Sequence, residues 1–344
     1  MKTFLVTGGA GFIGSNFVHH LYNRYPDYRL LVLDLLTYAG NVDNLPAEFS
    51  NPDADARVEF WCGDVRNASL VESLVKRSDV VVHFAAETHV TRSIFDNYHF
   101  FETDVLGTQV VANAAVGSDR MERFVHVSSS EVYGSADAPL MSEDHPLLPL
   151  SPYASAKAGA DRLVHSYHAT YDLPTVIVRP FNNYGPRQHL EKVVPRFITS
   201  CILEEPLRVH GDGSATRDWT YVTDTCEALD LIVHCEPKLV VGEVINLGSG
   251  EALSVAEIAH RIIQRMGKSE DLVKYIGERP GQVFRHTADR AKAERLIGWQ
   301  PTLSFDDGLE KTIQWYLEER SWWEKQLGMR EIPILTKSGK RELH

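Results

Sequence analysis

Tyr153 and Lys157 stand four residues apart in Ser151-Pro-Tyr-Ala-Ser-Ala-Lys-Ala158. On a helix that spacing puts both side chains on one face. A phenol with a pKa of about 10 is a poor base at neutral pH, and a neighbouring ammonium lowers that value. Such a pair can take a proton from a hydroxyl while the attached carbon gives up hydride. Alone, a Tyr–Lys pair is more often a solvated helix face, so the surroundings decide. Val127-Ser-Ser-Ser-Glu-Val-Tyr-Gly134 supplies hydroxyls at Ser129 and Ser130, and a carboxylate at Glu131 that hydride transfer does not need. Glu131 suits removal of a proton from a carbon made acidic by an adjacent ketone, the first half of a β-elimination. The plain alternative is a polar loop with its Glu in water.

These groups need a hydride acceptor, and the N-terminus reads as a place for one. Phe4-Leu-Val-Thr-Gly-Gly-Ala-Gly-Phe-Ile-Gly14 is an apolar strand, a glycine turn and a helix start. Gly8, Gly11 and Gly14 make the tight turn, admit a pyrophosphate and let the helix, beginning with Phe12 and Ile13, pack on its strand. The phosphates would lie at the helix N-terminus, where free N–H groups favour an anion. Leu30-Leu-Val-Leu-Asp34 then gives a second strand ending in an acid. Asp34 can accept from a ribose diol and repels a 2′-phosphate, which selects NAD over NADP. Asp64, with Val65 after it, follows the third strand. It either accepts from an adenine amino group or caps the helix starting near Asn67.

Short β-branched runs at 57–61, 79–83, 124–127 and 174–179 alternate with helical patterns near 66–77, 98–117 and 151–172. This alternation predicts an α/β chain with a Rossmann-type, doubly wound parallel sheet and a smaller C-terminal α/β domain for substrate. Residues 1–180 form the first domain, with 223–247 returning to it. Residues 181–222 and 248–330 form the second, and 331–344 read as a polar, mobile tail. The second part is expected to hold a helix near 192–204, a strand at 207–210 and a last helix near 305–327. Ser151 is the expected cap of the Tyr–Lys helix, with Pro152 in its first turn.

Composition narrows the partners. Of 344 residues, 43% are hydrophobic and 24% charged, with a net charge of −12. An acidic excess argues against nucleic acid. No apolar run approaches the roughly 20 residues of a membrane helix, and glycines interrupt the early apolar stretch where a signal peptide would lie. Cys62, Cys201, Cys226 and Cys235 have no C-x-x-C spacing. They read as reduced thiols of a cytoplasmic protein, and no metal is implied. His19 and His20 read as a satisfied surface pair. Lys192, Arg217, Arg279 and Arg285 are either a local diphosphate pocket or scattered surface cations.

Taken together, several stretches resemble the extended short-chain dehydrogenase/reductases acting on nucleotide sugars, most closely the dTDP-glucose 4,6-dehydratases. They are Leu36–Leu45, His83–Ile94, Ser130-Glu-Val-Tyr-Gly134, Asn182-Asn-Tyr-Gly-Pro186, Arg217–Val222 and Glu278-Arg-Pro-Gly281, and the likeness runs from Met1 to about Trp322. The resemblance implies an internal redox reaction with NAD. Tyr153, assisted by Lys157 and Ser129, is the base for C4 oxidation, Glu131 removes the C5 proton, water leaves from C6, and hydride returns there. It also implies that Ala85 lies by the cofactor, and that Asn182, Lys192, Arg217, Arg279 and Arg285 hold the diphosphate and nucleoside. Thr88 and Glu87 would line the sugar, and a homodimer would form through the helices near 98–117 and 151–172.

The chain departs from that pattern where it matters. Ser129-Ser130-Glu131 stands where the dTDP-glucose enzymes have Thr-Asp-Glu, and that Asp is the proposed acid for the departing hydroxyl. GDP-mannose 4,6-dehydratases have a Ser before their Glu, as do enzymes similar to UDP-glucuronate decarboxylase. Thr91 replaces a usual Asp, and Pro180-Phe181 with Gly185-Pro-Arg-Gln188 looks more like UDP-sugar enzymes, including UDP-N-acetylglucosamine 4,6-dehydratases. A UDP-sugar 4-epimerase or decarboxylase stays open as an alternative, as does a non-catalytic NAD sensor. Glu131 weighs against the epimerase, His83–Ile94 against the decarboxylase, and Tyr153 with Lys157 against the sensor.

Overall fold

The computed structural model describes residues 1–51, 55–278, 283–331, 333–335 and 340–343. Strands β1 (Thr3–Thr7), β2 (Arg29–Asp34), β3 (Val58–Cys62), β4 (Val80–His83), β5 (Arg123–Val127) and β6 (Thr175–Pro180) are consecutive members of one sheet. After them come β7 (Asn182–Tyr184), β8 (Leu207–His210), β9 (Thr216–Tyr221) and β10 (Val244–Leu247). The parallel sheet has the order β10-β6-β5-β4-β1-β2-β3. The order reverses between β1 and β4, and ligands bind at that crevice beyond the strand ends.

The continuous apolar runs exist because both faces of the sheet are covered. In β1, Phe4 and Val6 point to one face, joining Phe17 and Leu21 of the helix Phe12–Arg24 and Leu229 and Ile232 of the helix Val222–His234. Leu5 points to the other, with Leu31, Leu74, Val111 and Val164. Each such fully buried side chain contributes about 1.5–3 kcal/mol. β10 returns after the Val222–His234 helix to pair with β6.

The second part has its own core, built on Phe197 from the helix Val193–Leu203, with Trp219, Tyr316, Trp322 and Trp323. Its strands are short. β9 pairs with β7, with β11 (Ala252–Ser254) and with β13 (Arg285–His286), while β12 (Val273–Ile276) pairs with β8.

Three expectations need amendment. The helical stretch Tyr98–Val116 widens into a π-helical turn over Phe101–Gly107. The last helix is not continuous: Phe305–Glu318 stops at Glu319, and Arg320–Glu324 turns away to bury Trp322 and Trp323. In the tail, expected to be mobile, β14 (Pro333–Leu335) and β15 (Arg341–Leu343) pair antiparallel.

Candidate active site

The first glycine turn is fixed by backbone contact. Gly8 has φ +68, and a Cβ there would stand 2.6 Å from the Ala85 nitrogen. A Cβ on Gly14 would collide with the Gly8 carbonyl oxygen. Gly11 caps the helix Phe12–Arg24 with no side-chain hydrogen bond, leaving its first N–H groups facing the crevice. Asp34 is held at the rim: Oδ2 accepts from the Ala10 N–H (2.9 Å) and Oδ1 from the Leu36 N–H (2.8 Å). Burial raises its carboxyl against the pull of those two N–H groups.

A cleft of about 450 Å³ runs from this turn into the second part. Gly8, Gly11, Phe12, Ile13, Gly14, Asp34, Asp64, Val65 and Ala85 are among its lining. Ser129, Ser130, Glu131, Tyr153 and Lys157 line the same cleft, as do Thr88, Asn182, Lys192 and Arg217. Bare glycine backbone, a helix N-terminus and a seated carboxylate fit a dinucleotide's pyrophosphate and ribose diol.

One of the predicted cations falls elsewhere. Arg285 is exposed on β13 and does not line the cleft, because strand alternation turns its neighbour His286 inward instead. Arg279 lies outside the described residues. Asp64 does not cap a helix: Asn67 does, with its own side chain, and the Asp64 carboxylate pairs with Arg66 (2.7 Å).

At the centre, Ser151 Oγ accepts from the Ala154 N–H (3.1 Å) and Pro152 opens the helix Pro152–Tyr171, as its sequence predicts. Lys157 is buried and donates from Nζ to the Val127 carbonyl (2.8 Å), tying the helix to the end of β5. Burial lowers its pKa, while Asp104 and Asp161 oppose that. The Tyr153 phenol differs from expectation. Burial raises its pKa, the Ser129 hydroxyl opposes this, and Asp104 and Glu131 add to the rise. The Lys157 ammonium and the Asp104 carboxylate act on one another electrostatically.

Ser129 opens a single 3-10 turn, Ser130–Tyr133, by accepting the Glu131 N–H at 3.2 Å. Glu131 thereby lines the cleft, half-buried. Ser130 Oγ is 3.4 Å from His286 Nδ1, and burial holds that imidazole down at about 4. Lys192 Nζ donates to the Thr88 carbonyl (2.8 Å). Arg217 is buried; burial lowers its pKa, and Glu131 counters.

Sequence reasoning missed three groups here. Asp104, on the π-helical turn, accepts the Glu87 N–H (2.8 Å), and burial raises its carboxyl. Glu191 is buried and takes Arg92 Nε at 2.9 Å, and that guanidinium stacks 3.9 Å over the Tyr38 ring. Asp161 and Arg179 form a buried ion pair. Only Asp161 carried a signal, since it falls four residues after Lys157 on the same helix face.

A doubly wound sheet with this glycine turn, and a Tyr-x-x-x-Lys pair on the helix beside β5, defines an extended short-chain dehydrogenase/reductase. The chain belongs to the GDP-mannose 4,6-dehydratase family, whose sequence pattern matches residues 5–312. It is 47% identical over 313 residues to the low-salt glycan biosynthesis protein Agl12 of Haloferax volcanii, spanning 91% of this chain and 98% of that protein. The dTDP-glucose 4,6-dehydratase of Streptomyces niveus is 42% identical over 325 residues, 93% of this chain and 94% of its own. The crystal structure of DesIV, a dTDP-glucose 4,6-dehydratase from Streptomyces venezuelae with NAD bound, superposes with a TM-score of 0.89. It is 42% identical and covers 94% of this chain and 100% of that one.

Proposed function

We propose that this protein is an NAD-dependent nucleotide-hexose 4,6-dehydratase acting on a dTDP- or UDP-glucose-type substrate. The observation that carries this is the Glu131 carboxylate in the same cleft as Tyr153 and Lys157, a group that oxidation at C4 does not require. NAD, when bound, supplies reversible hydride exchange, from C4 at the start and to C6 at the end. Gly8, Gly11, Phe12, Ile13 and Gly14 would hold its pyrophosphate, and Asp34 would hold its ribose.

Tyr153 takes the C4 hydroxyl proton, with Ser129 as hydrogen-bond partner and Lys157 holding the helix against β5. The C4 ketone acidifies C5–H, and Glu131 removes that proton. As the C5=C6 bond forms, the C6–O bond breaks, and Glu131 returns the proton to the departing hydroxyl, which leaves as water. Ser130 is too weak an acid for that task. Glu131 then delivers a proton taken up from solvent to C5, and Tyr153 gives the C4 hydroxyl proton back to solvent, which restores both groups. Lys192, Asn182 and Arg217 meet the diphosphate and nucleoside, and Thr88 the sugar.

Two copies pair through the stretch Tyr98–Val116 and the helix Pro152–Tyr171. What supports this is exposed apolar surface at Tyr98, Phe101, Leu106 and Tyr171. A cytoplasmic setting fits four cysteines without disulfides. Among the described residues no helix is long and apolar enough to cross a membrane.

The test offers dTDP-glucose, UDP-glucose, UDP-N-acetylglucosamine, GDP-mannose and UDP-glucuronate, with mass spectrometry of each product. Loss of one water from a hexose nucleotide is expected; loss of carbon dioxide, or an unchanged mass with inverted C4, would replace this reading. Glu131→Gln should still oxidise C4 yet release no dehydrated product. A normal yield from that variant would remove Glu131 from the reaction.

A further inference from the structure

Tyr153 and Lys157 stand on a helix, Ser129 at the end of a strand and Glu131 on a separate turn, yet all must meet one sugar ring. A buried polar chain links these pieces. Asp161, one helical turn beyond Lys157, accepts from Ser128 Oγ at 2.8 Å, from Arg179 Nε at 2.8 Å and from Arg179 Nη2 at 2.9 Å. Arg179, on β6, donates from Nη1 to the Tyr133 hydroxyl at 2.8 Å, with its guanidinium 4.8 Å from the Tyr133 ring centroid. The Tyr133 hydroxyl donates to Asn246 Oδ1 at 2.7 Å, on β10. Asn246 in turn donates from Nδ2 to the Met141 carbonyl (3.0 Å) and from its backbone to Glu143 Oε1 (2.8 Å).

Tyr133 shares the single turn Ser130–Tyr133 with Glu131, and Ser128 directly precedes Ser129. The chain therefore touches both chemical centres without lining the cleft beyond Ser128. The Asp161 and Arg179 side chains are 0% and 2% exposed. Burying such a pair gains little net stability over an apolar filling of equal shape. What a fully hydrogen-bonded fork does supply is orientation.

We propose that the Asp161–Arg179 pair is a positioning brace that sets the Glu131 turn, through Tyr133, in fixed register with the Tyr153–Lys157 helix. What Glu131 does there rests on the dehydratase reading; the register itself does not. Arg179 and Tyr133 are positioning residues. Asp161 is held strongly ionised, since the Arg179 and Arg162 hydrogen bonds outweigh its burial.

Tyr133→Phe keeps the ring and its packing but removes the hydroxyl between Arg179 and Asn246. A displacement of about 1 Å remote from the chemistry costs on the order of a hundredfold in rate. In the holoenzyme with a nucleotide hexose, that loss is expected in water elimination and not in C4 oxidation. Reduced cofactor and 4-keto hexose then accumulate, which a merely structural role would not produce. Equal slowing of both steps, or of neither, overturns the brace. Should the unaltered enzyme oxidise no nucleotide hexose, the dehydratase reading fails, while crystals of Tyr133→Phe still judge the brace. A displaced Ser130–Tyr133 turn beside an intact Asp161–Arg179 pair supports it, and an unmoved turn overturns it. Arg179→Lys, which keeps the charge and loses the fork, serves in the same assays if Tyr133→Phe does not fold.

Discussion

The phenol of Tyr153 is poised by opposing influences. Burial, Asp104 and Glu131 keep its proton on, and the Ser129 hydroxyl pulls the other way. A base so placed acts when a substrate hydroxyl and a positive charge arrive together. Tyr153→Phe removes the proton acceptor and leaves the helix intact. Turnover should fall on the order of a hundredfold to ten-thousandfold, with NAD still retained after desalting. Single-turnover reduction of the bound cofactor measures this, and a loss below about tenfold would place the base elsewhere. At this scale the sequence was informative where spacing alone brings groups together. Tyr153, Lys157, Glu131 and Asp34 all announce themselves from local pattern. Asp104, Glu191 and Arg179 do not, since their partners lie far off in the chain or depend on a π-helical turn that no spacing signals. Arg285 misled for the opposite reason: its charge was visible, but the facing of its two-residue strand was not.

Elements were legible in proportion to how continuously they are buried. The strands β1, β2, β4 and β6 are apolar runs that only a sheet covered on both faces explains, and they lie within a residue or two of their expected ends. The short strands around β9 were hidden, because two or three residues of mixed polarity acquire strand geometry only by pairing with distant chain. The last helix was overdrawn through Glu319, since two consecutive tryptophans look helical until the core that claims them is seen. The glycine turn permits a direct check. Gly14→Ala sets a methyl group against the Gly8 carbonyl, and such overpacking costs about 1–3 kcal/mol. Thermal unfolding should shift downward, and titration with NAD should show affinity weakened by about tenfold or more. Unaltered NAD affinity would mean that the turn yields at no expense to the site.

At the scale of the whole molecule, distant parts of the chain are tied by well-satisfied polar links. Asp230 on the helix Val222–His234 takes His20 Nε2 at 2.9 Å, the Tyr25 hydroxyl at 2.9 Å and His234 Nδ1 at 2.7 Å. Burial alone would raise its carboxyl, yet hydrogen bonds from His20, His234 and Tyr25 hold it well below the usual range. A depressed folded value means that its stabilisation is complete above the unfolded pKa of about 3.9 and fades as pH falls below it. Asp230→Asn should therefore lower Tm at neutral pH, with the gap to the unaltered protein narrowing below about pH 4. A gap independent of pH would show that shape, and not charge, makes the link.

The late return of β10 to the edge of β6 has a consequence for biogenesis. A ribosome finishes β6 more than sixty residues before it supplies the strand that covers it. Throughout that interval the nascent sheet presents an open backbone edge, the kind that recruits strangers. Slowed elongation or truncation within 181–243 should therefore yield aggregates, and any cellular helper that shields this chain would be needed in that window of synthesis.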